Sequence, residues 1–223
     1  MKHNSHDSPV CLETSRLILK MLSLSNLNDL IQLRTHPDVM RYIGEGKIQT
    51  KEQVEHFLTT ALAYQEKHGL GFCAVFEKMA GHLIGQAGLF HLGFDDTQQE
   101  IELAYRLLPA YWGKSYATEL AKALVDWGFT HLPVNKLVAA THLDNIASQH
   151  VLKKAGFIDV GLREWYSKKQ VRGFEVYRND AIEIVPYDLT WPALAKKEMA
   201  TLKTVLPSAS LGSVANFNLY EKV

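Results

Sequence analysis

One stretch of the chain, Glu102-Leu-Ala-Tyr-Arg-Leu-Leu-Pro-Ala-Tyr-Trp-Gly-Lys-Ser-Tyr-Ala-Thr-Glu119, sets chemistry-bearing residues in an order that could hold an anion. A strand-like run leads into a turn at Gly113, and an amphipathic helical pattern follows from Lys114. The first N–H groups of a helix lack partners within it, and the helix dipole favours negative charge there. Phosphate or pyrophosphate can bind such a place without a metal. Lys114, Ser115 and Thr118 add one cation and two hydroxyls. The competing reading is an ordinary strand-to-helix turn, with Trp112 and Tyr116 as core aromatics. Neither the Gly-x4-Gly-Lys-Ser/Thr spacing nor a dinucleotide fingerprint is present. Upstream, Glu100 and Glu102 are two carboxylates on one side of a strand, and either could act as a general base. Downstream, Asn145 and Ser148 begin another helical run, where both residue types also serve as local hydrogen-bond partners.

These residues need a scaffold, and the chain supplies alternating and helical patterns in turn. Ser15 to Lys20 alternates as a strand. Ser25 is placed to cap a helix carrying Leu27, Leu30, Ile31 and Arg34, which stops before Pro37. Thr50-Lys-Glu-Gln53 is a capping-box pattern, opening a helix with Val54, Phe57, Leu58, Ala61 and Leu62 on one face and ending near Gly69. Strands are expected over 71–76, 82–90 and 99–107. A helix follows with Ala117, Leu120, Ala121, Leu124, Val125 and Gly128 as its apolar stripe. A strand at 136–141, a helix at 145–155 and strands at 157–160 and 173–185 complete a mixed α/β order, with its strand–helix–strand core at 99–141.

Composition sets the outer bounds. The 223 residues carry 24 Lys and Arg against 24 Asp and Glu, so no net charge draws the chain toward nucleic acid. Two Cys, Cys11 and Cys73, make no disulfide framework, which suits a cytoplasmic location. No apolar run approaches the roughly 20 residues of a membrane span. Residues 1–11 read as a flexible leader. The ten His show no recurrent ligand spacing, so no metal is expected.

Tyr111-Trp112-Gly113-Lys114-Ser115-Tyr116-Ala117-Thr118-Glu119 closely resembles the acyl-CoA loop of the GNAT superfamily of N-acyltransferases. Glu13-Thr-Ser-Arg-Leu-Ile-Leu19 resembles the opening strand of its RimJ/RimL-like branch, the ribosomal-protein-alanine acetyltransferases. Asn145-Ile-Ala-Ser148, with Val151-Leu152 and Gly156-Phe157, is similar to a later helix of that branch. The resemblance covers residues 12–181. It implies a mostly antiparallel central sheet flanked by helices, with acetyl-CoA as co-substrate and an amine as acceptor. The acetyl group would pass by direct attack of the amine in a ternary complex.

The resemblance also implies roles. Glu102 aligns with the family's strand glutamate and is the expected base, directly or through a water. Backbone N–H groups around Arg106, Leu107 and Leu108 would receive the carbonyl oxygen. Trp112, Gly113, Lys114, Ser115, Tyr116, Ala117 and Thr118 would hold CoA, and Asn145 would contact its pantetheine arm. Many superfamily members protonate the leaving thiolate with a helix Tyr. Leu152 stands at that position here and cannot do so, leaving the role to Ser148. Ser115 departs from the family's usual Gly, adding a Cβ where the backbone approaches the pyrophosphate.

The branch resemblance favours the N-terminal α-amino group of a protein, a ribosomal protein in that branch, as acceptor. An α-amino group loses its proton near pH 7.7–8.0, whereas lysine waits until about 10.4. The alternatives are a small amine (polyamine, aminoglycoside or amino acid) or an acyl-CoA sensor without catalysis. Segments 42–50 and 162–172, with Trp165 and Tyr166, are where an acceptor pocket would vary, and Arg163, Lys168, Lys169 and Arg172 form a basic cluster there. No nucleic-acid or membrane partner is expected, and the protein would be a monomer or homodimer. Residues 182–223, with Val185-Pro-Tyr-Asp-Leu-Thr-Trp191 and Gly212-Ser213, resemble the start of a GrpB-like domain and read as a non-catalytic extension.

Overall fold

The computed structural model describes residues 8–166 and 169–179. The chain runs through β1 (Val10–Glu13), β2 (Leu17–Met21), α1 (Leu27–Arg34), α2 (Pro37–Met40) and α3 (Lys51–His68). It continues with β3 (Gly71–Glu77), β4 (Leu83–His91), β5 (Ile101–Leu107), α4 (Tyr116–His131) and β6 (Lys136–Thr141). α5 (Ile146–Lys154), β7 (Ile158–Trp165) and β8 (Lys169–Tyr177) follow. The strands form one 8-stranded sheet in the order β1-β2-β3-β4-β5-β6-β8-β7. Every neighbouring pair is antiparallel except β5 and β6. This is the mixed, mostly antiparallel sheet with flanking helices that the resemblance implies.

Local chemistry explains the longest helices. Thr50 accepts from the Gln53 N–H and the Gln53 side chain returns a bond to the Thr50 N–H, so two orphan donors are satisfied at the start of α3. Gly69 closes that helix in the left-handed region at φ 64°. On α4, Leu120, Ala121, Leu124, Val125 and Gly128 are buried against the sheet. Gly128 is required by closeness: a Cβ there would lie 3.0 Å from the Cδ1 atoms of both Leu89 and Leu137. Fully buried leucines such as Leu17, Leu19, Leu103 and Leu120 anchor the core, each worth roughly 1.5–3 kcal/mol of burial.

Three expectations are corrected. β1 begins at Val10 and pairs with β2, so the leader does not extend to residue 11; residues 1–7 lie outside the described residues. Ser25 does not cap α1: Ser23 caps a short 3-10 turn that leads into it, and Asn26 stands at the N-cap of α1 itself. The hairpin of β7 and β8 spans most of 158–177, including stretches read as loop, with a bulge between Asp159 and Gly161. Lys168, the Lys169 side chain and the expected extension at 182–223 lie outside the described residues.

One topological detail positions everything that follows. β5 and β6 are in register only at Ile101–Leu137 and Glu102–Val138. Beyond those pairs the two parallel strands part, leaving the following residues of β5 without a neighbour on that side.

Candidate active site

A cleft of about 380 Å³ fills the opening between β5 and β6. Glu102, Tyr105, Arg106, Thr141, Asn145, Ser148 and Leu152 line it. Tyr42, Ile43 and Gly44 close one side, and Tyr166, Gln170 and Val171 another, so both expected acceptor segments reach the cleft. His142, which sequence reasoning treated as incidental, also lines it and packs against the Tyr42 ring at 5.4 Å. Among the described residues, no carboxylate other than Glu102 lines the cleft.

Glu102 is 2% exposed. Its Oε1 accepts the Tyr166 hydroxyl at 2.5 Å, and its Oε2 accepts the Gly93 N–H at 3.1 Å. Burial pushes its carboxyl up to about 7, against those two hydrogen bonds and the Arg106 charge, which pull it down. A carboxylate so tuned can take a proton at neutral pH and give it up again. Glu100 precedes β5, faces Lys136 at 3.8 Å and does not line the cleft. The geometry therefore separates the two carboxylates that sequence left equivalent.

Asn145 caps α5 by accepting the Ser148 N–H at 3.1 Å, which fixes the first turn on which Ser148 sits. Opposite, the Tyr105 hydroxyl lies 2.9 Å from Ser148 Oγ and 3.3 Å from the Ser148 carbonyl oxygen. Burial holds the Tyr105 phenol above its usual range, so it stays protonated. Sequence reasoning passed over Tyr105, because along β5 it reads as one more apolar-pattern residue. Its partner lies 43 residues away.

The expected carbonyl-oxygen donors are only partly available. Leu108 N–H donates to the Ile84 carbonyl at 2.8 Å, so it is taken. Strand alternation turns the Arg106 N–H toward β4 as well, and leaves the N–H groups of Tyr105 and Leu107 on the side of the opening. Leu107's carbonyl faces the same way and accepts the Trp112 indole N–H at 2.7 Å. Thr141 Oγ1, also in the cleft, is buried without a hydrogen-bond partner among the described residues. An opening edged by free strand donors and an orphaned hydroxyl suits an extended, amide-bearing ligand arm such as pantetheine.

The loop residues lie outside the lining of this cleft, where β5 runs out into α4. Gly113 has φ 72° and Ser115 φ 63°, and Lys114 is exposed. Ala117 and Thr118 are half-buried on the first turn of α4. Trp112 is half-exposed. The Tyr116 ring is buried with Arg16 4.3 Å above it, so only its backbone can face a ligand. Ser115 occupies the left-handed region that its usual Gly would fill without strain. Among the described residues, the non-glycine positive φ values are those of Ser115, Phe94 and Tyr166. One is in the loop, one adjoins the Gly93 donor and one is the hydroxyl partner of Glu102. Backbone strain of this kind gathers where function holds it.

Among the described residues no cluster of three or more His, Cys, Asp or Glu could hold a metal ion, and no helix is long and apolar enough to cross a membrane. A family model for the acetyltransferase (GNAT) domain matches residues 16–158. An uncharacterized N-acetyltransferase of Bacillus subtilis, YoaA, is 30% identical over 156 residues, covering 70% of this chain and 86% of that protein. The crystal structure of an acetyltransferase from Agrobacterium tumefaciens superposes with a TM-score of 0.65 at 25% identity, over 76% of this chain and 95% of that one. RimL, a ribosomal-protein α-N-acetyltransferase in complex with coenzyme A, shares the fold at TM-score 0.63 and 14% identity, over 76% and 96% of the two chains.

Proposed function

Since the chain belongs to the GNAT acetyltransferase family and is an acetyl-CoA-dependent N-acetyltransferase, we propose that the cleft between β5 and β6 transfers acetyl to an α-amino group with Glu102 as base. The observation that carries this reading is the buried Glu102 carboxyl, poised near 7 at the floor of an open cleft. An α-ammonium of pKa about 7.7–8.0 can pass its proton to such a base at little cost, whereas a lysine near 10.4 cannot. Among the described residues the cleft has no second carboxylate to pair with the remaining charges of a polyamine or aminoglycoside. An amine at the end of a protein chain needs none.

Acetyl-CoA supplies a thioester carbonyl that an amine attacks directly, with the CoA thiol as leaving group. The chain's residues do the rest. Glu102 accepts the amine proton while Tyr166 and Gly93 hold its two oxygens. The Leu107 N–H meets the carbonyl oxygen as charge gathers on it, and the Tyr105 N–H, roughly 7 Å away along β5, is left for an amide of the pantetheine arm. Ser148 donates to the departing sulfur. Tyr105 donates to Ser148 Oγ, which leaves the serine proton free to point into the cleft. Loop residues 113–118 receive the pyrophosphate at the start of α4.

The test is thiol release from acetyl-CoA over a panel of peptides with free N-termini, lysine side chains, polyamines and aminoglycosides. The reading expects turnover with α-amino acceptors above the rest. Preference for a polyamine would move the acceptor to small amines, and CoA binding without turnover on any amine would make the protein a sensor.

A further inference from the structure

The segment Thr14-Ser15-Arg16, between β1 and β2, matched the family's opening strand without a role. It is hydrogen-bonded to α4 at a sequence distance of about a hundred residues. Thr14 Oγ1 donates to Glu119 Oε1 at 2.6 Å and Ser15 Oγ to the same oxygen at 2.9 Å. The Arg16 N–H adds a third bond to it at 2.9 Å. The Arg16 guanidinium takes the other oxygen through Nε at 2.7 Å and Nη2 at 2.6 Å. Its remaining nitrogen, Nη1, donates to the Lys114 carbonyl at 3.0 Å, and its plane lies 4.3 Å over Tyr116. One side chain thus grips the first turn of α4, the loop before it and the ring beneath it.

We infer that Arg16, locked by Glu119, is a positioning residue that sets the conformation of loop 113–115 for the pyrophosphate of acetyl-CoA. The physical need is specific. Gly113 and Ser115 both hold positive φ, and Ser115 does so against its own Cβ. A hydrogen bond to the carbonyl of the residue between them, Lys114, fixes the peptide planes on either side. Those planes aim the loop's N–H groups. Arg16 suits the task because its rigid planar fork holds a carboxylate through two nitrogens and a carbonyl through the third, a fixed geometry that a lysine ammonium supplies only in part. Glu119 has a second effect. Left unpaired on the first turn, it would set a negative charge beside an incoming diphosphate, and Arg16 cancels that charge.

The inference rests on the proposed pyrophosphate role of the loop, so the experiment keeps the two apart. Acetyl-CoA and CoA affinities are measured by calorimetry, and kcat and KM by thiol release, for wild type, Arg16→Met, Arg16→Lys and Glu119→Gln. Thermal melts establish that each variant is folded. Acetyl-N-acetylcysteamine, a thioester without the pyrophosphate, serves as a second acetyl donor. Arg16→Met is expected to raise Kd and KM for acetyl-CoA about tenfold, the loss of roughly one charge-assisted hydrogen bond, with kcat held within about twofold. Arg16→Lys restores part of that. Turnover of acetyl-N-acetylcysteamine should stay at wild type in every variant. Glu119→Gln separates geometry from charge: it makes the loop more positive yet should weaken CoA binding, because it loosens Arg16. Tighter binding by Glu119→Gln, or wild-type affinity in folded Arg16→Met, would overturn the inference. A wild-type protein that fails to bind CoA would instead sink the loop's proposed role.

Discussion

Replacing Glu102 by Gln separates what a buried base costs the fold from what it gives the reaction. Folded, the carboxyl holds its proton to about pH 7, whereas its ordinary value is 4.5. The difference, at 1.36 kcal/mol per unit, amounts to about 3 kcal/mol. The sign follows from which state binds the proton more tightly. Below pH 4.5 both states are protonated and the group's stabilising contribution is fully present. As pH rises toward 7, unfolding releases the proton, and that contribution is lost. Gln does not titrate, and it keeps an oxygen for the Gly93 N–H and an amide for the Tyr166 oxygen. Urea denaturation of both proteins at pH 5, 6, 7 and 8 should therefore show a gap in favour of Glu102→Gln. It should widen across that range to about 3 kcal/mol, with the change from other carboxylates cancelling between the two. At pH 7–8, where the wild-type carboxyl is ionised, kcat/KM of the variant should fall by about 10²–10⁴-fold, the usual share of a general base, and the difference should narrow toward pH 5. A stability gap that does not change with pH would show that the carboxyl is charged throughout. The argument for a tuned base would then fail, even if activity were lost.

Removing the Tyr166 hydroxyl (Tyr166→Phe) takes away a bond that favours the charged carboxylate, so the rising limb of the pH–rate profile should shift to higher pH, read from kcat/KM between pH 5.5 and 9. Tyr105→Phe should lower kcat about tenfold with KM for acetyl-CoA unchanged, and should cost nothing further in a Ser148→Ala background; additive losses in that cycle would mean Tyr105 does not act through Ser148. Ser115→Gly should relieve a left-handed backbone worth about 1–2 kcal/mol, offset in part by the freer unfolded chain, and raise Tm by a few degrees in a thermal melt.

What could be read from the sequence was whatever short-range chemistry decides. Thr50 and Gln53 announce α3 because a cap is a contact between residues three apart. The stripe from Ala117 to Gly128 announces α4 because its period is helical. Ser115 was visible as the wrong residue for its place, and the structure puts it at the positive φ that makes it so. β1 escaped notice because four residues, only two of them half-buried, cannot outweigh a polar leader. β7 and β8 were shortened because an edge hairpin with mixed exposure and a bulge breaks the alternation. Within the site, Glu102 was found from its alignment, but its separation from Glu100 depends on where β5 begins. Tyr105 with Ser148, and Arg16 with Glu119, are pairings of distant residues that no local pattern encodes.

The bonds from Thr14, Ser15 and Arg16 to Glu119 also bear on where this enzyme can be cut. The family match starts at residue 16, and a chain trimmed to Leu17 would keep every residue that lines the cleft. It would nonetheless lose β1 and the grip on α4. As with Arg16→Met, such a trimmed chain is expected to keep its turnover and bind acetyl-CoA about tenfold more weakly. The family match at residue 16 includes Arg16 and leaves out Thr14 and Ser15, which hold the same carboxylate of Glu119.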